Sequence, residues 1–310
     1  MLKQWVQRFF VLFFLLSSLH ADISEFFKKA TGKSTASRMR NIDWIYVINL
    51  DQRPEKFAHC VQELEPYGIY PYRFSAVNGW ELSLDTINQL GVRLKSGMQT
   101  DHMGTCYPLD GSGPQHEMVH HLGQTYFCHC MSRGAIGIAM SHLSILQDAY
   151  DSGYETIWVM EDDIQVIRDP RLISGLIDEL DATVGKGQWD ILFTDRDTKN
   201  QQGEYVSCGG YAWRPNFTPR DRYVFQNKWD ISRTFRRIGA RFGAYSMIVR
   251  RSGMKRILDF IKHYKIFLPY DMDFCLPVDI RLYTVQKDVV STLPNAASDN
   301  GGANYRTVQK

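Results

Sequence analysis

Neither sign of charge dominates this sequence. Its 310 residues carry 36 Lys and Arg against 34 Asp and Glu, a formal net charge of +2, which removes any bulk attraction to nucleic acid. Cysteine is sparse. Cys60, Cys106, Cys128, Cys130, Cys208 and Cys275 follow no framework spacing, so disulfides are not the scaffold. If the chain is exported, Cys106 with Cys128 or Cys130 is the expected pairing, and Cys60 reads as a small buried hydrophobe. No compact zinc pattern is present either, although His102, Cys106, His116, His120, His121, Cys128, His129 and Cys130 crowd one stretch. A loop-rich insertion accounts for residues 93–132 better than a metal site does. The apolar run Phe9–Leu19 is shorter than the ~20 residues a spanning helix needs.

What is present is enough apolar material, 44% of residues, for one large domain or two small ones with a proper core. Lys3 and Arg8 precede the Phe9–Leu19 run, which ends at His20-Ala21. That is the layout of a secretory signal peptide, with a short uncleaved membrane anchor as the alternative. Either implies an exported or membrane-associated chain, in the secretory lumen or periplasm. Residues 22–41 are polar and basic and read as a tether. Residues 42–295 read as the folded domain, interrupted at 93–132, and residues 296–310 as a polar tail.

The domain is organised around Thr156-Ile157-Trp158-Val159-Met160-Glu161-Asp162-Asp163, a β-branched and aromatic run that ends on three acids. Such a run reads as a buried strand of an α/β sheet, and groups beyond its carboxyl end lie where open α/β sheets bind ligands. Adjacent carboxylates repel one another unless a cation lies among them, and oxygen-only ligands favour Mg²⁺, Mn²⁺ or Ca²⁺ over zinc. Alternation along an extended chain puts Glu161 and Asp163 on one side and Asp162 on the other. An acidic turn facing water is the competing reading, and this segment alone does not separate the two.

Upstream, Trp44–Leu50, a helix with Phe57, Cys60, Val61 and Leu64 on one stripe, and Tyr70–Ala76 form a strand–helix–strand unit, expected to be parallel and right-handed. Asp51 is placed to cap the helix and Pro54 to sit in its first turn. Asn49, Asp51 and Arg53 then lie at the carboxyl end of the first strand, a position for holding a nucleotide, although a cap and a surface charge explain Asp51 and Arg53 nearly as well. Ile136, Ala139, Leu143, Leu146 and Tyr150 form the stripe of a helix ended by Gly153, with Ser141 and His142 on a neighbouring face. Glycines at its start suit a close approach. Trp189–Asp195 is another strand ending on an acid, and residues 196–240 form a long connection of the kind that covers an active site. Phe242–Arg250 is a late strand, followed by a helix that Ser252 can cap. Asp271 and Asp273 stand two residues apart, on one side of a segment read as extended.

Several of these pieces, taken in order, carry a resemblance. They are Val47-Ile48-Asn49-Leu50-Asp51-Gln52-Arg53-Pro54, Arg73-Phe74-Ser75-Ala76-Val77-Asn78-Gly79, and Gly134-Ala135-Ile136-Gly137 leading to Ser141-His142. Val159-Met160-Glu161-Asp162-Asp163-Ile164, Trp189-Asp190-Ile191-Leu192, Gly243-Ala244-Tyr245 and Pro269-Tyr270-Asp271 continue the series. The chain resembles glycosyltransferase family 25, which includes lipooligosaccharide and collagen galactosyltransferases. The resemblance runs from about Trp44 to Asp273 and skips 93–132.

It implies a GT-A-like α/β fold, a single domain with a mainly parallel central sheet flanked by helices. It also implies a sugar nucleotide donor, typically UDP-galactose, Mn²⁺ or Mg²⁺, a glycan acceptor such as lipooligosaccharide, and inversion at the anomeric carbon. Departure of a nucleoside diphosphate builds negative charge that a metal can neutralise, and inverting transfer needs a carboxylate to take the acceptor's proton. On that basis Glu161 and Asp163 are assigned to metal and diphosphate, with Asp162 as the alternative ligand. Asn49, Asp51, Arg53, Ser141, His142 and Asp162 are assigned to the donor. Asp271 is the expected base, with Asp273 and Asp195 behind it. A metal-dependent phosphohydrolase also clusters acids at strand ends, but no second His-rich metal shell accompanies Glu161–Asp163. A secreted, catalytically silent sugar-binding module on the same fold is favoured by the export signal and opposed by the intact acids at both sites.

Overall fold

The computed structural model describes residues 22–34, 39–200, 202–294, 296 and 298–306. The expected signal peptide or anchor at 1–21 lies outside the described residues, and among those described no helix is long and apolar enough to cross a membrane. Strand β1 (Trp44–Asn49) leads into helix α1 (Pro54–Leu64) and β2 (Tyr72–Ser75). Helix α2 (Leu84–Leu90) precedes β3 (Val92–Arg93), β4 (Met103–Cys106), β5 (Gln115–Met118) and β6 (Thr125–Cys128). Next come α3 (Arg133–Asp151), β7 (Thr156–Met160), β8 (Ile164–Val166), α4 (Leu172–Val184) and β9 (Ile191–Phe193). The chain continues through β10 (Lys228–Asp230), β11 (Phe235–Ile238), β12 (Ser246–Arg250), α5 (Arg251–Tyr264), α6 (Tyr270–Asp273), β13 (Leu282–Val285) and β14 (Val290–Thr292).

The main sheet has the order β10-β11-β13-β9-β12-β7-β1-β2. Every residue of β1 and β7 is buried because helices cover both faces, and strand alternation divides their side chains between two apolar layers. Ile157 and Val159 pack with Leu143 and Leu146 of α3 and with Met254, Ile257 and Leu258 of α5. Trp158 and Met160 pack on the other face with Cys60 and Leu64 of α1 and Ile173, Ile177 and Leu180 of α4. The unit β1–α1–β2 is parallel, as expected, and β1 also runs parallel to β7. The sheet as a whole is mixed and not mainly parallel. Among the described residues of this sheet only β1–β2, β1–β7 and β9–β13 are parallel pairs, and β12 lies antiparallel between β7 and β9. Burial explains the discrepancy, since a strand covered on both faces is an apolar run whichever way it points.

Other expectations change as well. Residues 93–132 are more than loop, for β3, β4, β5 and β6 make a small antiparallel sheet in the order β3-β6-β4-β5. These strands are two to four residues long, too short for alternation to show. All six cysteines are free. Cys106 faces Glu117, whereas Cys128 Sγ lies 2.7 Å from Cys130 Sγ, so the pairing expected with Cys106 is not formed. The described part of the tether is packed onto the domain. Ile23 is buried, the Lys28 amide donates to Ser144 Oγ at 2.9 Å, and the Lys33 ammonium lies over Trp44 and Tyr154.

The helix starts also differ. Pro54 opens α1, but its cap residue is Arg53 with no side-chain bond, and the Asp51 carboxylate instead accepts from Arg73 Nη2 and Ser75 Oγ, both at 2.7 Å. Ser252 does not cap α5, which begins at Arg251; its hydroxyl donates to Asp190. The early glycines of α3 do serve a close approach. A Cβ on Gly137 would stand 2.6 Å from Val77 O and Gly79 N, so the first turns of α3 rest directly on the turn that leaves β2.

Candidate active site

The carboxyl ends of β1 and β7 open on a cavity of about 100 Å³, bordered by Lys56, Trp80, Glu161, Asp162, Asp163 and Asp299 among others. Asn49 is its junction. From the last position of β1, buried, Asn49 Nδ2 donates to Asp162 Oδ2 at 2.7 Å and to the Arg53 carbonyl at 2.8 Å, while its Oδ1 accepts from Arg73 Nε at 2.7 Å. Asn49 therefore fixes both the acid after β7 and the turn into α1. Lys56, in the first turn of α1, stands 3.6 Å from Asp162. Arg53 pairs with Asp299 at 2.7 Å and with Glu55 at 2.5 Å.

On the α3 side, His142 Nε2 lies 3.0 Å from Glu161 Oε1, and its ring stacks on Tyr270 with centroids 4.2 Å apart. Ser141 borders the cavity, but its hydroxyl is spent on backbone, donating to Gly137 O at 2.7 Å and accepting from the Val77 amide at 2.8 Å. Asp51 stays with Arg73 and Ser75 at the rim, where burial opposes ionisation but the Ser75 and Arg73 hydrogen bonds prevail and lower its pKa.

Asp163 is the outlier of the three acids. Among the described residues its buried Oδ1 has no hydrogen-bond partner, and burial, then the charges of Glu161 and Asp162, push its pKa up to about 7. Burial raises Asp162 as well, against Lys56 and Asn49. An orphaned carboxylate oxygen among hard donors suits a divalent cation. Among the described residues, however, no group of three or more His, Cys, Asp or Glu is arranged to hold one alone. A Mg²⁺ or Mn²⁺ that uses one or two carboxylates and takes its remaining ligands from substrate phosphates and water meets both facts.

The same geometry predicts a pH effect. Asp163 keeps its proton to about pH 7 when folded and releases it near the ordinary aspartate value of 3.8 when unfolded, so its stabilising contribution falls as pH rises through that window. At ~1.4 kcal/mol per unit, the loss between pH 5 and pH 8 is on the order of 2 to 3 kcal/mol in metal-free buffer. Thermal melts of wild type and Asp163→Asn check this: the variant should lose that part of the pH slope, and an identical slope in both chains refutes it.

The three candidate bases separate. The segment read as extended is the short helix α6, so Asp271 and Asp273 do not share a side. Asp271 borders a second cavity, of about 410 Å³, with Tyr211, Arg241 and Phe242, and accepts from the Gly243 amide at 2.9 Å. Burial and then the charge of Glu161 raise its pKa, against the Gly243 amide and His142. Asp273 is buried and ion-paired with Arg214. Asp195 is fully buried, 2.8 Å from Arg241 Nη1, and accepts from the Tyr245 hydroxyl at 2.7 Å and Ser291 Oγ at 3.1 Å. Both are engaged beneath the crevice. The sequence reading overlooked Lys56, Trp80, Tyr270 and Asp299. Lys56 and Trp80 had a signal, since each stands just past the carboxyl end of a strand; Asp299 had none.

Acids gathered beyond two adjacent parallel strands define an α/β protein with its ligand crevice at the strand ends. Comparison with known proteins supplies the family. The sequence model for Glycosyltransferase family 25 (LPS biosynthesis protein) matches residues 42–276, and the chain belongs to this family. It is 24% identical over 180 residues, 58% of the chain, to a "Glycosyltransferase 25 family member" of Drosophila melanogaster, of which it covers 25%. It is 25% identical over 183 residues, 59% of the chain, to one from Aedes aegypti, covering 26%. It is also 25% identical over 163 residues, 52% of the chain, to the human "Inactive glycosyltransferase 25 family member 3", covering 23%. The chain thus spans about a quarter of the length of these curated relatives.

Proposed function

We propose that this chain is an inverting glycosyltransferase of GT-A-like fold that moves a hexose, with UDP-galactose the first donor to test, onto a glycan acceptor such as lipooligosaccharide. The observation that carries this reading is the pairing of two carboxylate sites across Glu161. On one side Glu161, Asp162 and the orphaned Asp163 border the strand-end cavity. On the other, Asp271 senses the charge of Glu161 and borders a separate, larger cavity. The first suits the donor diphosphate and the second an acceptor.

In this reading Arg53 and Lys56 bind the donor's phosphates, and His142, backed by Tyr270, holds the Glu161 carboxylate in position. A bound Mn²⁺ or Mg²⁺, held by Asp163 with Glu161 or Asp162, would neutralise the charge that builds on the leaving nucleotide. Asp271, its basicity raised by burial, takes the proton of the acceptor hydroxyl. The freed oxygen bonds to the anomeric carbon from the face opposite UDP as the bond to the phosphate oxygen breaks. A silent sugar-binding module is the second reading, because the human relative carries "inactive" in its name. Calorimetric titration with UDP, with and without Mn²⁺, decides between them. Glycosyl transfer requires Mn²⁺-dependent binding that Asp163→Ala abolishes; UDP affinity that ignores both the metal and the substitution would sink the metal assignment.

A further inference from the structure

The crevice assigned to the donor is already filled by part of this chain. Asp299 Oδ2 lies 2.7 Å from Arg53 Nη1 and 3.9 Å from Lys56 Nζ, and the Asp299 carbonyl accepts from Trp80 Nε1 at 3.0 Å. The Asn300 side chain accepts from Ser132 Oγ at 2.7 Å, and Asn78 Nδ2 donates to the Tyr305 hydroxyl at 2.8 Å. A Cβ on Gly134 would stand 2.5 Å from the Asn300 carbonyl oxygen, so the segment's backbone rests on the first turn of α3. We propose that the segment 298–305 is an intramolecular competitor of the donor, with the Asp299 carboxylate standing in for a donor phosphate. This rests on reading the crevice as the nucleotide site.

Charge and volume both support competition. Asp299 enters a crevice that already holds Asp162 and Asp163, and the cations that let it stay are Arg53 and Lys56, the ones a diphosphate would need. Its fit is incomplete, because the buried Asp299 Oδ1 has no partner among the described residues. With the segment in place the cavity measures about 100 Å³, whereas pockets for ligands of this size hold roughly 300–1,000 Å³. The other walls belong to β1, α1, α3 and the turns that follow β1, β2 and β7. Asp299 and Asn300 are held there by polar contacts and Tyr305 is buried beside them. A tethered competitor lowers apparent affinity by the fraction of time the site is open, and donor binding must in turn release the segment.

The test uses the full chain with UDP and Mn²⁺ as the probe. Binding is measured by calorimetry for wild type, Asp299→Asn and Asn300→Ala, and amide hydrogen exchange of residues 298–306 is followed with and without UDP. Competition predicts roughly tenfold tighter UDP binding in the variants, within the range usual for coupled sites, and faster exchange of the segment when UDP binds wild type. If UDP binds wild type and the variants equally, or binds the variants more weakly, the segment does not compete, and the donor reading stands without it. If UDP binds none of the three chains, both readings fall.

Discussion

If the proposed transfer reaction is this chain's activity, Asp271→Asn should lower its rate by about 10²- to 10⁴-fold, the usual worth of a general base, and leave UDP affinity and melting temperature close to wild type. The expectation follows from where Asp271 sits. Its carboxylate accepts from the Gly243 amide, a bond that the Asn carbonyl oxygen can accept equally well, so the substitution removes the proton acceptor and little else. Asp195→Asn and Asp273→Asn should behave in the opposite way, because each breaks the charge balance of a buried Arg pair. Their first effect is on stability, and any loss of transfer should follow the loss of folded protein. Steady-state kinetics beside thermal melts separates the three. A full-rate Asp271→Asn enzyme would remove Asp271 from the mechanism.

The second large effect is on the fold. Arg241→Met should destabilise the chain by about 3–5 kcal/mol, the typical cost of removing one partner of a buried ion pair, and lower Tm by about 10 °C. Arg241 and Asp195 are almost completely buried. The guanidinium also donates to the Tyr245 hydroxyl at 2.9 Å and lies over the Phe193 ring, 4.4 Å from its centroid. Without it, Asp195 remains as an uncompensated charge inside the sheet. The double substitution Arg241→Met/Asp195→Leu should recover only part of the loss. It removes the stranded charge, but leaves the Tyr245 and Ser291 hydroxyls that Asp195 satisfied without their acceptor. Denaturant unfolding of the single and double variants measures both effects. A single variant as stable as wild type would overturn the assignment of this pair to the fold.

Asp195 and Asp271 also show where reading a sequence stops. Both looked alike in the chain, as acids near the end of an apolar segment, and only their neighbours distinguish them. Arg241 lies 46 residues from Asp195, and Gly243 lies 28 from Asp271. Similarly, Asp-x-Asp was read with the period of a strand, and the helix at Tyr270–Asp273 turned the two carboxylates apart. The direction of β12 was equally hidden, because a run buried on both faces carries no record of parallel or antiparallel pairing.

The sequence by itself determined the strand ending on Glu161-Asp162-Asp163, the parallel β1–α1–β2 unit, the apolar stripes of α1 and α3, and the family. These are local matters of period, composition and short ordered motifs. Tertiary structure alone decided which acids are ion-paired, that Asp163 and Asp299 each keep an orphaned oxygen among the described residues, and that Asp299 reaches Arg53 from 246 residues away. A carboxylate's role depends on the water, cations and donors around it, and those come from distant parts of the chain that are brought together only by folding.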